Sequence, residues 1–173
     1  MRAIIQALLG SSLIALGGMA IAQQGDSAAA PYGSGATFNA IFLEGGIGID
    51  RAIAPGSALA TAGAPLSLTA WVRPDRIAKG DIALLQLGAL AGQGPQLLLR
   101  DGRPAVKMAG TVLAAPQVLV ADRWTHVSAT IDNGQTILYV GGRAVARGAT
   151  QIPPFAPQIH VAPAQADAAH FGG

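Results

Sequence analysis

The stretch "DRWTHVSATIDNGQTILYVGG", residues 122–142, decides the fold. Within it Trp124, His126, Ser128 and Thr130 alternate with Thr125, Val127, Ala129 and Ile131. Side chains on a strand point to opposite faces with period two, so each set shares one face. Asn133-Gly134 follows, then a second apolar run, "QTILYV". An Asn-Gly pair between two such runs predicts a hairpin, because both turn positions take positive φ. Gly141-Gly142 makes a further turn into "RAVARG".

The same reading extends outward. "LSLTAWV" (66–72) places Leu66, Leu68, Ala70 and Val72 on one face and Ser67, Thr69, Trp71 and Arg73 on the other; Pro74 ends the run. "IALLQLG" (82–88) and "QLLLR" (96–100) are dense, short and bounded by Gly or Pro, which favours strand over helix. Asp101-Gly102 predicts a second hairpin into "RPAVKMA". "TVLAA" (111–115) and "QVLVA" (117–121) flank Pro116, and "IFLEGGIGI" (41–49) reads as a strand pair broken at Gly45-Gly46. Many short strands with turns between them predict an all-β antiparallel sandwich or jelly roll. Trp124, Val127, Ile131, Leu138 and Val140 are its expected core.

Residues 1–22 stand apart. Arg2, an apolar run to Ala22 and the small-residue ending Ala20-Ile21-Ala22 have the three parts of a secretory signal peptide. Gln6, Gly10, Ser11, Ser12, Gly17 and Gly18 interrupt the run, which makes it a poor membrane span. Cleavage after Ala22 predicts a secreted or periplasmic protein with no span in the mature chain. Residues 23–37, "QQGDSAAAPYGSGAT", read as a flexible leader.

Composition excludes several functions. There is no cysteine, so thiol nucleophiles, zinc–thiolate sites and disulfides are absent. A hydrophobic fraction of 51% must supply stability by burial instead. The net charge is only +2, and Lys and Arg are spread along the chain with no more than close pairs such as Arg73 and Arg76, so nucleic acid is not an expected partner. His126, His160 and His170 are too dispersed for a local metal motif. Glu44 is the single glutamate, without an acidic neighbour two or five residues on, and no G-x-S-x-G occurs.

Three segments, "LSLTAWVRPD", "DRWTHVSATIDNG" and "ILYVGGRAVARG", resemble, in that order and spacing, the laminin-G-like, concanavalin A-like jelly-roll domains of secreted bacterial proteins. The resemblance runs over residues 38–173. Trp71, Trp124, Val127, Tyr139 and Gly142 carry it as fold-defining positions. Gly141 departs from it, standing where the family usually has Asp, and Ser128 stands where Ala is common. The resemblance implies a non-catalytic binding or interaction module, with carbohydrate as the expected partner. A jelly-roll glycoside hydrolase or its accessory domain, and an adhesion spacer without a small ligand, are the alternatives. Trp71, Arg73, Trp124 and His126 are the candidate ligand-binding residues, although an aromatic at the start of a sandwich strand is more often core. No cofactor is expected. Calcium is the one option the resemblance adds, with Asp132 and Asn133 as candidates, but calcium takes about six to eight oxygen ligands and no loop is that rich in them.

The resemblance also implies a closing strand after a Phe-x-Gly segment such as "HFGG", paired near the first strand of the domain. The chain is therefore expected to be the N-terminal part of a longer protein, with its jelly roll lacking that closing strand. Exposure separates the functional readings: a sugar site needs a solvent-facing aromatic with polar neighbours, whereas a spacer buries both tryptophans.

Overall fold

The computed structural model describes Ile4–Gln6, Ile41–Phe42 and residues 48–163, apart from 55, 56, 58, 60–62 and 91. In chain order its strands are β1 (Ile4–Gln6), β2 (Ile41–Phe42), β3 (Ile49–Ala52), β4 (Leu66–Arg73), β5 (Asp81–Leu87) and β6 (Gln96–Arg100). They continue with β7 (Arg103–Met108), β8 (Thr111–Ala114), β9 (Thr125–Asp132), β10 (Gln135–Val140), β11 (Arg143–Ala149) and β12 (Gln158–Val161). Two six-stranded sheets result, in the orders β11-β10-β9-β4-β1-β2 and β3-β12-β5-β6-β7-β8. Every pairing is antiparallel.

Alternation along β4 and β9 builds the first sheet's inner face. Leu68, Ala70 and Val72 lie opposite Ala129, Val127 and Thr125, and Leu66 lies opposite Ile131. Val127, Ala129, Ile131 and Leu138 are buried to within 1% exposure. From the second sheet Ile82, Leu84, Leu85, Leu87, Leu97, Leu99, Val106 and Met108 join them in one hydrophobic core. Each such leucine contributes roughly 1.5–3 kcal/mol by leaving water. The β9–β10 turn runs through Asn133 and Gly134 at φ 46° and 73°, and the β6–β7 turn through Asp101 and Gly102 at 50° and 76°. The two Asx-Gly readings therefore hold in their physical detail. The described residues of 82–100 carry no helix; a bulge between Ala83 and Leu85 instead lets Leu84 and Leu85 both join the core.

Four expectations are corrected. Residues 41–49 are not a paired hairpin, since β2 belongs to the first sheet and β3 to the second. Residues 117–121 form no strand. Pro116 offers no N–H to a ladder, and the chain beyond it turns to cover the β6–β7 turn, where Leu119 N donates to the Gly102 carbonyl at 2.9 Å. Trp124 is only half-buried, precedes β9 and is not among the residues packed in the core. Val140 is half-buried too, at the end of β10, although it packs against the core from its margin.

β1 lies next to the edge of the first sheet, between β4 and the edge strand β2. Ile4, Ile5 and Gln6 pair with Arg73, Val72 and Trp71 of β4, and Ile4 and Ile5 also pair with Phe42 and Ile41 of β2. These residues fall within the segment read as a signal peptide. The leader at 23–37, Glu44, and residues 164–173 with the "HFGG" segment lie outside the described residues.

Candidate functional site

The outer face of the first sheet gathers the polar half of each alternating strand. The register sets Trp71 opposite His126, Thr69 opposite Ser128 and Ser67 opposite Thr130. On the far side of β9, Tyr139 lies opposite Ser128 and Ile137 opposite Thr130. Directly opposed side chains share a face and touch. The Trp71 and His126 rings lie with centroids 5.2 Å apart, inclined at 48°. Thr69 Oγ1 lies 2.8 Å from His126 Nε2, which fixes the imidazole beside the indole. Trp71, His126, Ser128, Thr130, Ile137 and Tyr139 are all half-buried, so rings and hydroxyls stand together on this face.

The structure thus brings together Trp71 and His126 of the sequence-predicted residues, with Arg73 next along the same face of β4. Arg73 Nη2 donates to Asp122 Oδ1 at 3.3 Å, and the Asp122 side chain is 67% exposed, so water weakens that pair. Trp124 stands two residues before His126, outside β9 and half-buried. Trp71 and Tyr139, read as fold-defining, stand on this outer face rather than among the residues packed in the core. Gly142 lies in the β10–β11 turn at φ 77°, beside Gly141 at 57°. Asp132 is exposed at the end of β9 and Asn133 forms the turn. Among the described residues no three His, Cys, Asp or Glu side chains gather within reach of one metal ion.

A second constellation lies on the outer face of the other sheet, and sequence reasoning missed it. Successive registers line up Asp50, His160, Gln86, Gln96 and Lys107 across β3, β12, β5, β6 and β7. His160, Gln86 and Gln96 in this row are buried. His160 Nδ1 lies 2.6 Å from Asp50 Oδ1, within hydrogen-bond distance. Gln86 Nε2 donates to the carbonyls of Ala89 and Leu90 at 2.7 and 3.1 Å, drawing the β5–β6 loop over the sheet. Gln86 Oε1 and His160 Nε2 are buried without a hydrogen-bond partner among the described residues. Beside the row a cavity of about 260 Å³ opens, lined by Asp81, Ala83, Leu90, Gly92, Gln96, Leu98 and Lys107. Arg100 Nε and Nη2 donate to the two oxygens of Asp81 at 2.6 and 2.7 Å. Lys107 Nζ lies farther away, 3.6 Å from Asp81 Oδ2. The Arg100 hydrogen bond holds the Asp81 carboxyl below its usual range against the opposing effect of burial, with Lys107 helping, and Asp81 in turn raises Arg100. The available signal was a glutamine inside each apolar run, "IALLQLG" and "QLLLR". Two half-turned polar residues in buried strands call for partners.

Comparisons agree with this architecture. The family model of Laminin_G_3, the concanavalin A-like lectin/glucanases superfamily, matches residues 48–171. Among solved structures, domains LG4-5 of the mouse laminin alpha1 chain superpose with a TM-score of 0.53 at 18% identity, over 75% of this chain and 37% of that one. Domain 4 of AbnA, a GH43 extracellular arabinanase from Geobacillus stearothermophilus solved with arabinotriose, superposes with a TM-score of 0.51 at 17% identity, over 66% of this chain and 59% of that one. This chain therefore spans less than two thirds of either structure. No curated protein matches it. With two antiparallel sheets, one shared core and a family match over more than half its length, the chain belongs to the laminin-G-type branch of the concanavalin A-like lectin/glucanases superfamily.

Proposed function

We propose that this protein is an exported, non-catalytic carbohydrate-binding module that takes its glycan on the outer face of the first sheet. The observation that carries the reading is the half-buried Trp71–His126 pair, set among Thr69, Ser128, Thr130 and Tyr139 on the outer face of the first sheet. A sugar ring has an apolar C–H face and a rim of hydroxyls. An indole offers the first a flat apolar surface, while serine, threonine and tyrosine hydroxyls and an imidazole can both donate to and accept from the second. A spacer would bury its tryptophans, and neither is buried here. The AbnA domain, solved with arabinotriose, supports a sugar as the ligand class.

Three of the described carboxylates are engaged elsewhere. Asp81 is committed to Arg100, Asp101 accepts from Gly80 N at 3.0 Å in a turn, and Asp122 faces Arg73. A glycosidase needs one carboxyl group free to give a proton and a second beside the same bond. Export rests on the residues 1–22 pattern, and calcium is not invoked.

The test is a glycan array followed by titration of purified protein with the best oligosaccharide, arabinotriose included. Trp71→Ala should weaken binding about tenfold or more, the effect of losing roughly 1.4 kcal/mol of contact. Retained affinity in Trp71→Ala, or no glycan bound at all, would reject the proposal.

A further inference from the structure

We infer that the cavity on the outer face of the second sheet is a separate binding site for a single acidic sugar ring, a hydroxylated ring bearing one carboxylate. It lies on the opposite side of the sandwich from Trp71 and does not depend on the platform there.

Size comes first. At about 260 Å³ the cavity is smaller than the roughly 300–1,000 Å³ of sites that enclose drug-sized ligands. One ring fits; an oligosaccharide does not. The walls come next. Leu98 and Ala83 form a floor that is 1% and 4% exposed, while Leu90 stands at the mouth 47% exposed. A leucine held open to water at the lip of a pocket has apolar surface to give to a ligand. The C–H face of a ring would lie between it and the floor. Gln96 supplies an amide on the wall, and Gln86, directly opposite it but outside the lining, holds the neighbouring loop by its bonds to the Ala89 and Leu90 carbonyls. The Gln96 amide, both donor and acceptor, suits a hydroxyl group.

Charge sets the remaining requirement. Asp81 is already matched by the two-point contact from Arg100, a geometry in which both oxygens are satisfied. Lys107, at 3.6 Å, is a second cation on a carboxylate that Arg100 already holds at two points. Its side chain is 39% exposed, so the ammonium can turn toward the cavity without leaving water entirely. Asp81 and Lys107 of the lining with Arg100 of the ion pair carry one net positive charge; Asp101, whose charge acts on Arg100, is turned to Gly80 N outside the lining, so the ammonium of Lys107 is the charge that a monoanion in the cavity would meet.

The experiment titrates the isotopically labelled full chain with sodium D-glucuronate, D-glucose and sodium acetate at one ionic strength, followed by backbone amide NMR shifts. Glucuronate should shift the amides of Leu90, Gln96, Leu98 and Lys107 saturably, and bind about tenfold more tightly than glucose, the scale of a hydrogen bond to a charged group. Lys107→Gln should abolish that preference, Lys107→Arg should keep most of it, and Trp71→Ala should leave it unchanged. The inference is overturned by the absence of shifts at these amides, by equal binding of glucose, or by acetate reproducing the response. Loss of glucuronate binding in Trp71→Ala would equally overturn it, by placing the sugar on the other sheet. Failure of the platform shows instead on the glycan array, so the two proposals fail separately.

Discussion

At the residue scale, burial and partner identity decide what each side chain does. Leu138 is 0% exposed in the shared core, so Leu138→Ala should cost about 2–5 kcal/mol through lost burial and a residual cavity. Chemical denaturation should show it as a lower midpoint at unchanged slope. Trp124→Ala should cost clearly less despite the larger truncation, because Trp124 is half-buried and outside the core. A comparable loss for both would contradict that placement. Asp81 gives a pH prediction. Its carboxyl is depressed by Arg100, so the folded state binds the proton more weakly than the unfolded state. The stabilisation is then fully present above the ordinary value of 3.8 and is lost as pH falls below it, through the lower folded value. Asp81→Asn should flatten the acid limb of a stability–pH curve without moving the neutral plateau's slope. The exposure of this pair keeps the effect modest.

At the element scale, the β6–β7 hairpin depends on Gly102 for two reasons. Its φ of 76° suits glycine, and a Cβ there would strike Ile77 Cγ2 and approach Val118 Cγ1 at 2.9 Å. The segment after Pro116, which forms no strand, is what closes over this turn. Gly102→Ala should therefore destabilise by about 1–3 kcal/mol, combining backbone strain with overpacking. Gly141→Ala tests the first term alone, since nothing lies within 4 Å of a Cβ there. Thermal unfolding of the two variants should rank Gly102→Ala as the more damaging; the reverse order would mean that the cover over the turn yields freely.

At the scale of the whole molecule, the position of β1 couples the N-terminal segment to the first sheet. β1 lies between β4 and β2 and donates or accepts along Trp71–Arg73. Cleavage after Ala22 would take it away and leave the β4 edge, with Val72 fully buried beside it, without its partner on that side. Unpaired strand edges pair with other chains. We expect residues 23–173 to melt at a lower temperature than the full chain and to self-associate with rising concentration in sedimentation. Faster amide exchange at Trp71–Arg73 should accompany both. A cooperative, monomeric 23–173 with the same melting temperature would show that β1 adds nothing to the sheet.

The sequence by itself determined whatever local chemistry enforces. Period-two alternation over 66–72 and 125–131 fixed which residues face inward, and Asn133-Gly134 and Asp101-Gly102 fixed two turns, because positive φ is demanded within two residues. The meeting of Trp71 with His126 was not local; it required β4 to pair with β9 in one particular register. The tertiary structure alone decided that β2 and β3 go to different sheets, that Trp124 stays out of the core, and that β1 enters the first sheet. It alone also drew Asp50, His160, Gln86, Gln96 and Lys107 into one row from five strands. A glutamine in an apolar run announces a polar need but not its partner, because cross-strand neighbours are set by register between segments far apart in the chain.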